Sequence, residues 1–207
     1  MFRHRQMKRS RGQALVEFAL AATLIFTLLS ATVDLGMIFF TMQALRTAAQ
    51  EGATFGSHPK TNMSANGVTI TSVDLDYAEI VNRVRLSGGS TSGGVADLLD
   101  LNNDGINDST QTSTVLNYAD PNAYIYIQNL KYGNDVLVNP STGLDVAPGT
   151  CLTTTANQDM RNAGKYCYVK VTVSYNYQFI FPLAPAFGNT IRLKTSFMIH
   201  VRSSFIG

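Results

Sequence analysis

Apolar residues fill the chain from Phe18 to Val33, sixteen consecutive positions without a formal charge. After a single Asp34 the run resumes as Leu35-Gly36-Met37-Ile38-Phe39-Phe40. A Leu-, Ala- and Thr-rich stretch of this kind predicts a membrane-spanning helix. Its sixteen uncharged residues would rise about 24 Å against a hydrocarbon core of about 30 Å, so Glu17 and Asp34 are expected near opposite boundaries.

The helical period does not stop there. Ile38, Met42, Leu45, Ala49, Gly52 and Phe55 recur at spacings of three and four, with Gln43, Arg46, Thr47 and Gln50 on the other face. One helix is therefore expected to run to about Phe55, extending about 60 Å, and to be stopped by Gly56 and Pro59. The small residues Ala48, Ala49, Gly52 and Ala53 permit close approach of a sheet or a partner helix, and packing on the chain's own domain is the expectation.

Beyond it the pattern becomes mixed. Val68-Thr69-Ile70 suggests a short strand, and Tyr77 to Leu86 a helix with Ile80, Val81 and Val84 as its apolar side. Ala123 to Ile127 reads as a strand. Cys167, Val169, Val171, Val173, Tyr175, Tyr177 and Phe179 then alternate with polar residues, and Ile191, Leu193, Thr195, Phe197, Ile199 and Val201 do the same. Two long antiparallel strands with one core face each follow from this period of two. The expected fold class is α+β: a long N-terminal transmembrane helix continuing into a small domain, with an antiparallel sheet packed on the helix.

Charge adds topology. Arg3, Arg5, Lys8, Arg9 and Arg11 precede Gln13 with no acid among them, whereas the later chain is mildly acidic. Basic residues directly before an apolar helix keep the N-terminus in the cytoplasm and send the remainder outward. A basic arm for nucleic acid is the rival explanation, and the adjoining apolar helix disfavours it. Three regions result: a cytoplasmic basic leader over 1–12, a transmembrane and amphipathic helix over 13–56, and an extracytoplasmic α+β domain over 57–207. The predicted location is the cytoplasmic membrane, crossed once.

Within the leader boundary lies a cleavage-like motif. Gly12, four mostly apolar residues, Glu17 and the aromatic Phe18 follow the pattern of prepilin peptidase substrates. Gln13-Ala14-Leu15-Val16-Glu17-Phe18-Ala19-Leu20, then Asp34-Leu35-Gly36, Gln43-Ala44-Leu45 and Ala48-Ala49-Gln50-Glu51-Gly52-Ala53 together resemble the TadE-like family of pilus assembly pseudopilins. The resemblance covers about Arg11 to Gly56, with Phe18 standing where tyrosine is often found. It implies cleavage after Gly12, leaving Gln13 as the mature N-terminus, and pairing of Glu17 with the N-terminal amine of a neighbouring subunit. A carboxylate at membrane depth is costly without a cation, which agrees with that pairing. The alternative is that Glu17 lies among headgroups and snorkels to water. The implied partners are the membrane, a prepilin peptidase, and other pilins and pilus assembly proteins.

One stretch carries metal chemistry. Asp100, Asn102, Asp104 and Asp108 place oxygens at the first, third, fifth and ninth positions of a loop, Gly105 takes the sixth, and Ile106 would offer a main-chain carbonyl at the seventh. Calcium needs such an arrangement, although Gln111 replaces the bidentate glutamate at the twelfth place and weakens the site. A solvated Asn/Asp turn is the alternative. Cys151 and Cys167 fall in the exported part, where a disulfide between them is expected. The run from Ser87 to Gly94 reads as a linker, lacking the Gly-Lys-Ser/Thr of a phosphate loop. His4, His58 and His200 suggest no nucleophile–base set, so no enzyme is predicted. The functional expectation is a pilin-like protein supporting assembly of a tight-adherence pilus. The alternative is a membrane-anchored, calcium-dependent surface-binding protein.

Overall fold

The computed structural model describes residues 10–87, 96–108, 118, 120–131, 134–138, 167–180 and 188–202. Its first element, α1 (Ser10–Gly56), is a single helix of 47 residues, about 70 Å long. Its two halves differ in surroundings rather than in backbone. From Gly12 to Val33 every side chain is exposed or half-exposed, and Leu15, Phe18, Leu24 and Phe26 are each more than 60% exposed. From Asp34 onward one face is covered. Leu45, Ala48, Ala49 and Ala53 are fully buried, while Gln43, Arg46, Thr47 and Gln50 stay exposed as their period requires.

A hairpin follows, β1 (Lys60–Met63) and β2 (Ile70–Asp74), paired antiparallel from Lys60–Asp74 inward. The strand expected at Val68-Thr69-Ile70 starts only at Ile70. Val68 and Thr69 belong to the turn, which Ser64 closes by accepting from Gly67 N–H and Thr69 Oγ1. The Asn66-Gly67 pair is the turn signal that decides this. Then α2 (Tyr77–Leu86) occupies the predicted span, with Asp76 capping the N–H of Glu79 at 3.1 Å and Arg83 and Arg85 in its last turn.

Among the described residues the main sheet has four antiparallel strands, β3 (Ile125–Lys131), β4 (Asn134–Val138), β5 (Cys167–Gln178) and β6 (Thr190–His200), in the order β4-β3-β5-β6. The expected strand at Ala123 begins two residues later. β4 is additional, and its Val136-Leu137-Val138 run is too short to announce a strand by pattern. The two long closing strands pair as anticipated, from Tyr168–His200 to Gln178–Thr190.

The core lies where α1, α2 and the sheet meet, joining Leu45, Ala48, Ala49 and Ala53 to Ile80, Val84, Ile125, Ile127, Val169, Val171 and Val173. Small residues on α1 are used inside the chain. A methyl group added at Gly52 would overlap Val84 Cγ2, and one at Gly56 would stand 3.0 Å from both Ile80 and Val169 side chains. Helix and domain thus approach at backbone distance, which no larger residue permits. At the helix end Ser57 O accepts from Arg202 N–H at 2.8 Å, tying the exit of β6 to the exit of α1.

One expectation changes on the sheet. β5 was expected to be half-buried, but Thr172 and Ser174 on its polar face are buried at 4% and 1%, beside buried Tyr126 and Gln128. Alternation identifies the more apolar face; it does not require the other face to be wet. The resulting architecture is the α+β arrangement expected, with the sheet on the distal half of a helix whose proximal half is bare.

Candidate functional site

The bare half of α1 is predominantly apolar, and its charged group is Glu17 near the start. Its threonine hydroxyls are turned back onto the helix: Thr23 donates to Ala19 O, Thr27 to Thr23 O and Thr32 to Leu28 O, at 2.7–2.9 Å. Hydroxyls satisfied inside the helix need no water, which suits a hydrocarbon environment. Glu17 is exposed and accepts one bond from Gln13 Nε2 at 3.1 Å. Gly12 sits inside the first turns of the helix, and an added Cβ there would meet nothing within 4 Å. A helical glycine costs about 1 kcal/mol relative to alanine. Among the described residues, packing gives no reason for glycine at that position. Phe18, next to Glu17, is 72% exposed.

Asp34 ends the bare segment, and the domain covers it. It is only 3% exposed. Tyr177 Oη donates to Asp34 Oδ1 at 2.9 Å, and the Ile180 main-chain N–H donates to the same oxygen at 3.1 Å. Burial pushes the Tyr177 phenol up to about 12, and its bond to the Asp34 carboxylate adds to the rise. On the side of α1 away from the domain, Leu35, Phe39 and Phe40 remain 59–68% exposed. The exposed apolar stripe therefore continues from Phe18 to Phe40, about 33 Å, a length that would cross a hydrocarbon core of about 30 Å. In sequence Asp34 simply interrupts the apolar run, because the groups that cover it, Tyr177 and Ile180, lie far along the chain.

The second candidate is the loop after α2. Asp100 holds its turn with both oxygens, Oδ1 accepting from Asp104 N–H at 3.1 Å and Oδ2 from Gly105 N–H at 2.7 Å. Asn102 Oδ1 accepts from Asp104 N–H at 3.1 Å, and Asp104 Oδ1 from Ile106 N–H at 2.8 Å. Gly105 has φ +85° and Asn103 φ +58°, which curls the chain around these side chains. Asp108 is fully buried, with Oδ2 accepting from Leu101 N–H at 2.7 Å. Burial raises its carboxyl to about 6; the Leu101 bond and Arg85 act against this, and the charges of Asp100 and Asp104 add to it. The structure thus brings Asp100, Asn102, Asp104, Ile106 and Asp108 into one loop, although no three His, Cys, Asp or Glu side chains stand at metal-ligand spacing among the described residues. The clamp on this loop was not visible in sequence. Asn176 of β5 donates from Nδ2 to Asn102 O at 3.0 Å and accepts on its main-chain oxygen from Asn103 Nδ2 at 3.1 Å.

Other chemistry is sparse. An open cleft of about 500 Å³ between α1 and α2 is lined by Thr47, Glu51, Glu79, Arg83, Leu86 and Ser87. Arg83 is engaged there by Glu79 at 3.1 Å and by the face of Phe55. His58 bonds Ser57 and Thr54 at the end of α1, and Ser57 Oγ donates to Thr54 O, a helix-end arrangement. His200 packs edge-on against Tyr168. Cys151, the leader up to Arg9, the glycine-rich run at 88–94 and Gln111 lie outside the described residues, as does the side chain of Cys167.

Among the described residues one helix, near the N-terminus, is long and apolar enough to cross a membrane, and its most apolar window is wholly unburied. It fits a single-pass anchor. No curated protein and no solved structure matches the chain. Residues 12–54, the bare half of α1 and most of its packed half, match the family model described as TadE-like protein, so over that segment the chain is similar to that family.

Proposed function

We propose that the protein is a pilin-like subunit of the cytoplasmic membrane that supports assembly of a tight-adherence pilus and is cleaved by a prepilin peptidase after Gly12. The TadE-like match on a helix whose first half is bare and apolar, with Glu17 near its start, carries this reading. Gly12 is free of packing duties, so its small size is available to a peptidase that must bring the backbone into its site. Cleavage would create a new amine at Gln13, close to the depth of Glu17. In the uncleaved chain Glu17 has Gln13 Nε2 as a neutral donor; a cationic amine from an adjacent copy is a stronger partner in a low-dielectric surrounding. Subunits would associate along bare helices while their domains contact other pilus components. The role is structural rather than catalytic.

Gly12→Ala and Glu17→Ala, introduced in the native host, test the reading. Loss of surface pili with the protein still present in the membrane supports it, and normal piliation in both variants contradicts it. The second reading, a calcium-dependent surface-binding protein with a permanent anchor, is favoured by the Asp100–Asp108 loop. It predicts an intact N-terminus and ligand binding abolished by chelation.

A further inference from the structure

The loop from Asp100 to Asp108 is built more tightly than a surface turn requires. Asp108 is 0% exposed, yet only one of its carboxylate oxygens is used. Among the described residues Oδ1 has no hydrogen-bond partner. Leaving a buried charged acceptor unmet is expensive, and native folds rarely tolerate it without a reason. The bond from Leu101 N–H, at the loop's second position, fixes the carboxyl toward the loop, within electrostatic range of Asp100 and Asp104. Arg85 does not relieve it by a direct bridge. Its Nη2 donates to Asn107 Oδ1 at 2.8 Å, and its own buried Nε is unpartnered.

We propose that Asp100, Asn102, Asp104 and Asp108, with the main-chain carbonyl of Ile106, form a calcium site. Calcium takes six to eight hard oxygen donors with loose angular demands, and four side chains, one carbonyl and water meet that number. The turn-forming bonds already present do not preclude ligation, because each carboxylate oxygen has a second lone pair. A cation between Asp100, Asp104 and Asp108 would give Asp108 Oδ1 its missing partner and offset three like charges, against which the structure sets Arg85. Because the three carboxylates do not yet stand together, binding must draw Asp104 Oδ2 away from Asn102 Nδ2, its donor at 2.9 Å. That rearrangement weakens affinity, placing the site in the range of extracellular modules, about 0.1–1 mM. Magnesium, which demands a compact octahedron and dehydrates reluctantly, suits this donor set poorly.

The site has a route to the membrane junction. Asn176 clamps the loop, and the next residue, Tyr177, holds Asp34 of α1. Calcium should therefore slow amide exchange at Asn176 and Ile180 as well as within the loop.

The test uses the full-length protein in detergent micelles, stripped with EGTA and titrated with calcium chloride, with magnesium chloride as the control. The expected result is saturable calcium binding, one ion per chain, with a raised melting temperature and a much smaller response to magnesium. Asp104→Asn keeps an oxygen for the Ile106 N–H but removes a charge, so it should melt like the parent in EGTA and bind calcium at least about tenfold more weakly. Absence of saturable binding in the parent, or equal affinity in Asp104→Asn, overturns the assignment.

Discussion

Tyr177 reaches across 143 positions of sequence to donate its phenol to Asp34 at 2.9 Å, and this bond joins the last long hairpin of the domain to the helix where its bare segment ends. Hydrogen bonds to a charged group are worth about 1.5–3 kcal/mol, more than neutral ones. Tyr177→Phe should therefore destabilise the helix–domain junction by about that amount, leaving Ile180 N–H as the remaining donor of the pair. Asp34→Ala should cost more, since it strands both donors. Thermal unfolding of the full-length protein in micelles reads both variants, and a non-additive double mutant would confirm that the two residues act through each other.

Burial of the Tyr177 phenol, together with its bond to Asp34, predicts an alkaline limit. A phenol raised to about 12 in the fold, against about 10 in the unfolded chain, favours the folded state fully below pH 10. That contribution is lost as pH climbs from about 10 to about 12, because the unfolded chain ionises first. Melting temperature should fall across this window, and Tyr177→Phe should flatten the fall. An unchanged pH profile in the variant would assign the alkaline loss to other groups.

Two glycines of α1 should separate by assay. Gly52→Ala drives a methyl group into Val84, and overpacking of this kind costs about 1–3 kcal/mol. Gly12→Ala meets open space, so it should leave the melting temperature unchanged or slightly higher while blocking removal of the leader. Melting curves and the mass of the membrane-extracted protein distinguish the two effects.

A bond between Cys151 and Cys167 remains the proposal for the chain's two cysteines. Closing a loop of this length would stabilise the fold by about 3 kcal/mol in the chain-entropy model. Reduction should then lower the melting temperature, and the untreated protein should resist alkylation. Two freely alkylated thiols in the protein taken from its native membrane would rule the bond out.

How much of this was legible in sequence depends on whether the deciding interaction is local. α2 was readable because Ile80, Val81 and Val84 mark one face, and Asp76, which accepts from the Glu79 N–H, stands where a cap is expected. The packed face of α1 was readable for the same reason, since period and small residues coincide at Ala48, Ala49 and Gly52. The role of Asp34 was not, because its donors lie on β5 and just beyond it; in a linear reading it is simply a charge that ends an apolar run. Likewise the order of oxygens in the Asp100–Asp108 loop was visible. The burial of Asp108 and the clamp from Asn176 were not, being products of tertiary packing. β4 was missed because five residues carry too little pattern to be separated from a loop.

The central claim is processing at Gly12, and the most direct test is the mature N-terminus of the protein isolated from its native membrane. Mass spectrometry is the suitable readout, because an N-terminal glutamine can cyclise with loss of ammonia and block stepwise chemical sequencing. The account predicts a chain that begins at Gln13, in free or cyclised form. A chain that retains Met1 and the basic leader would contradict it.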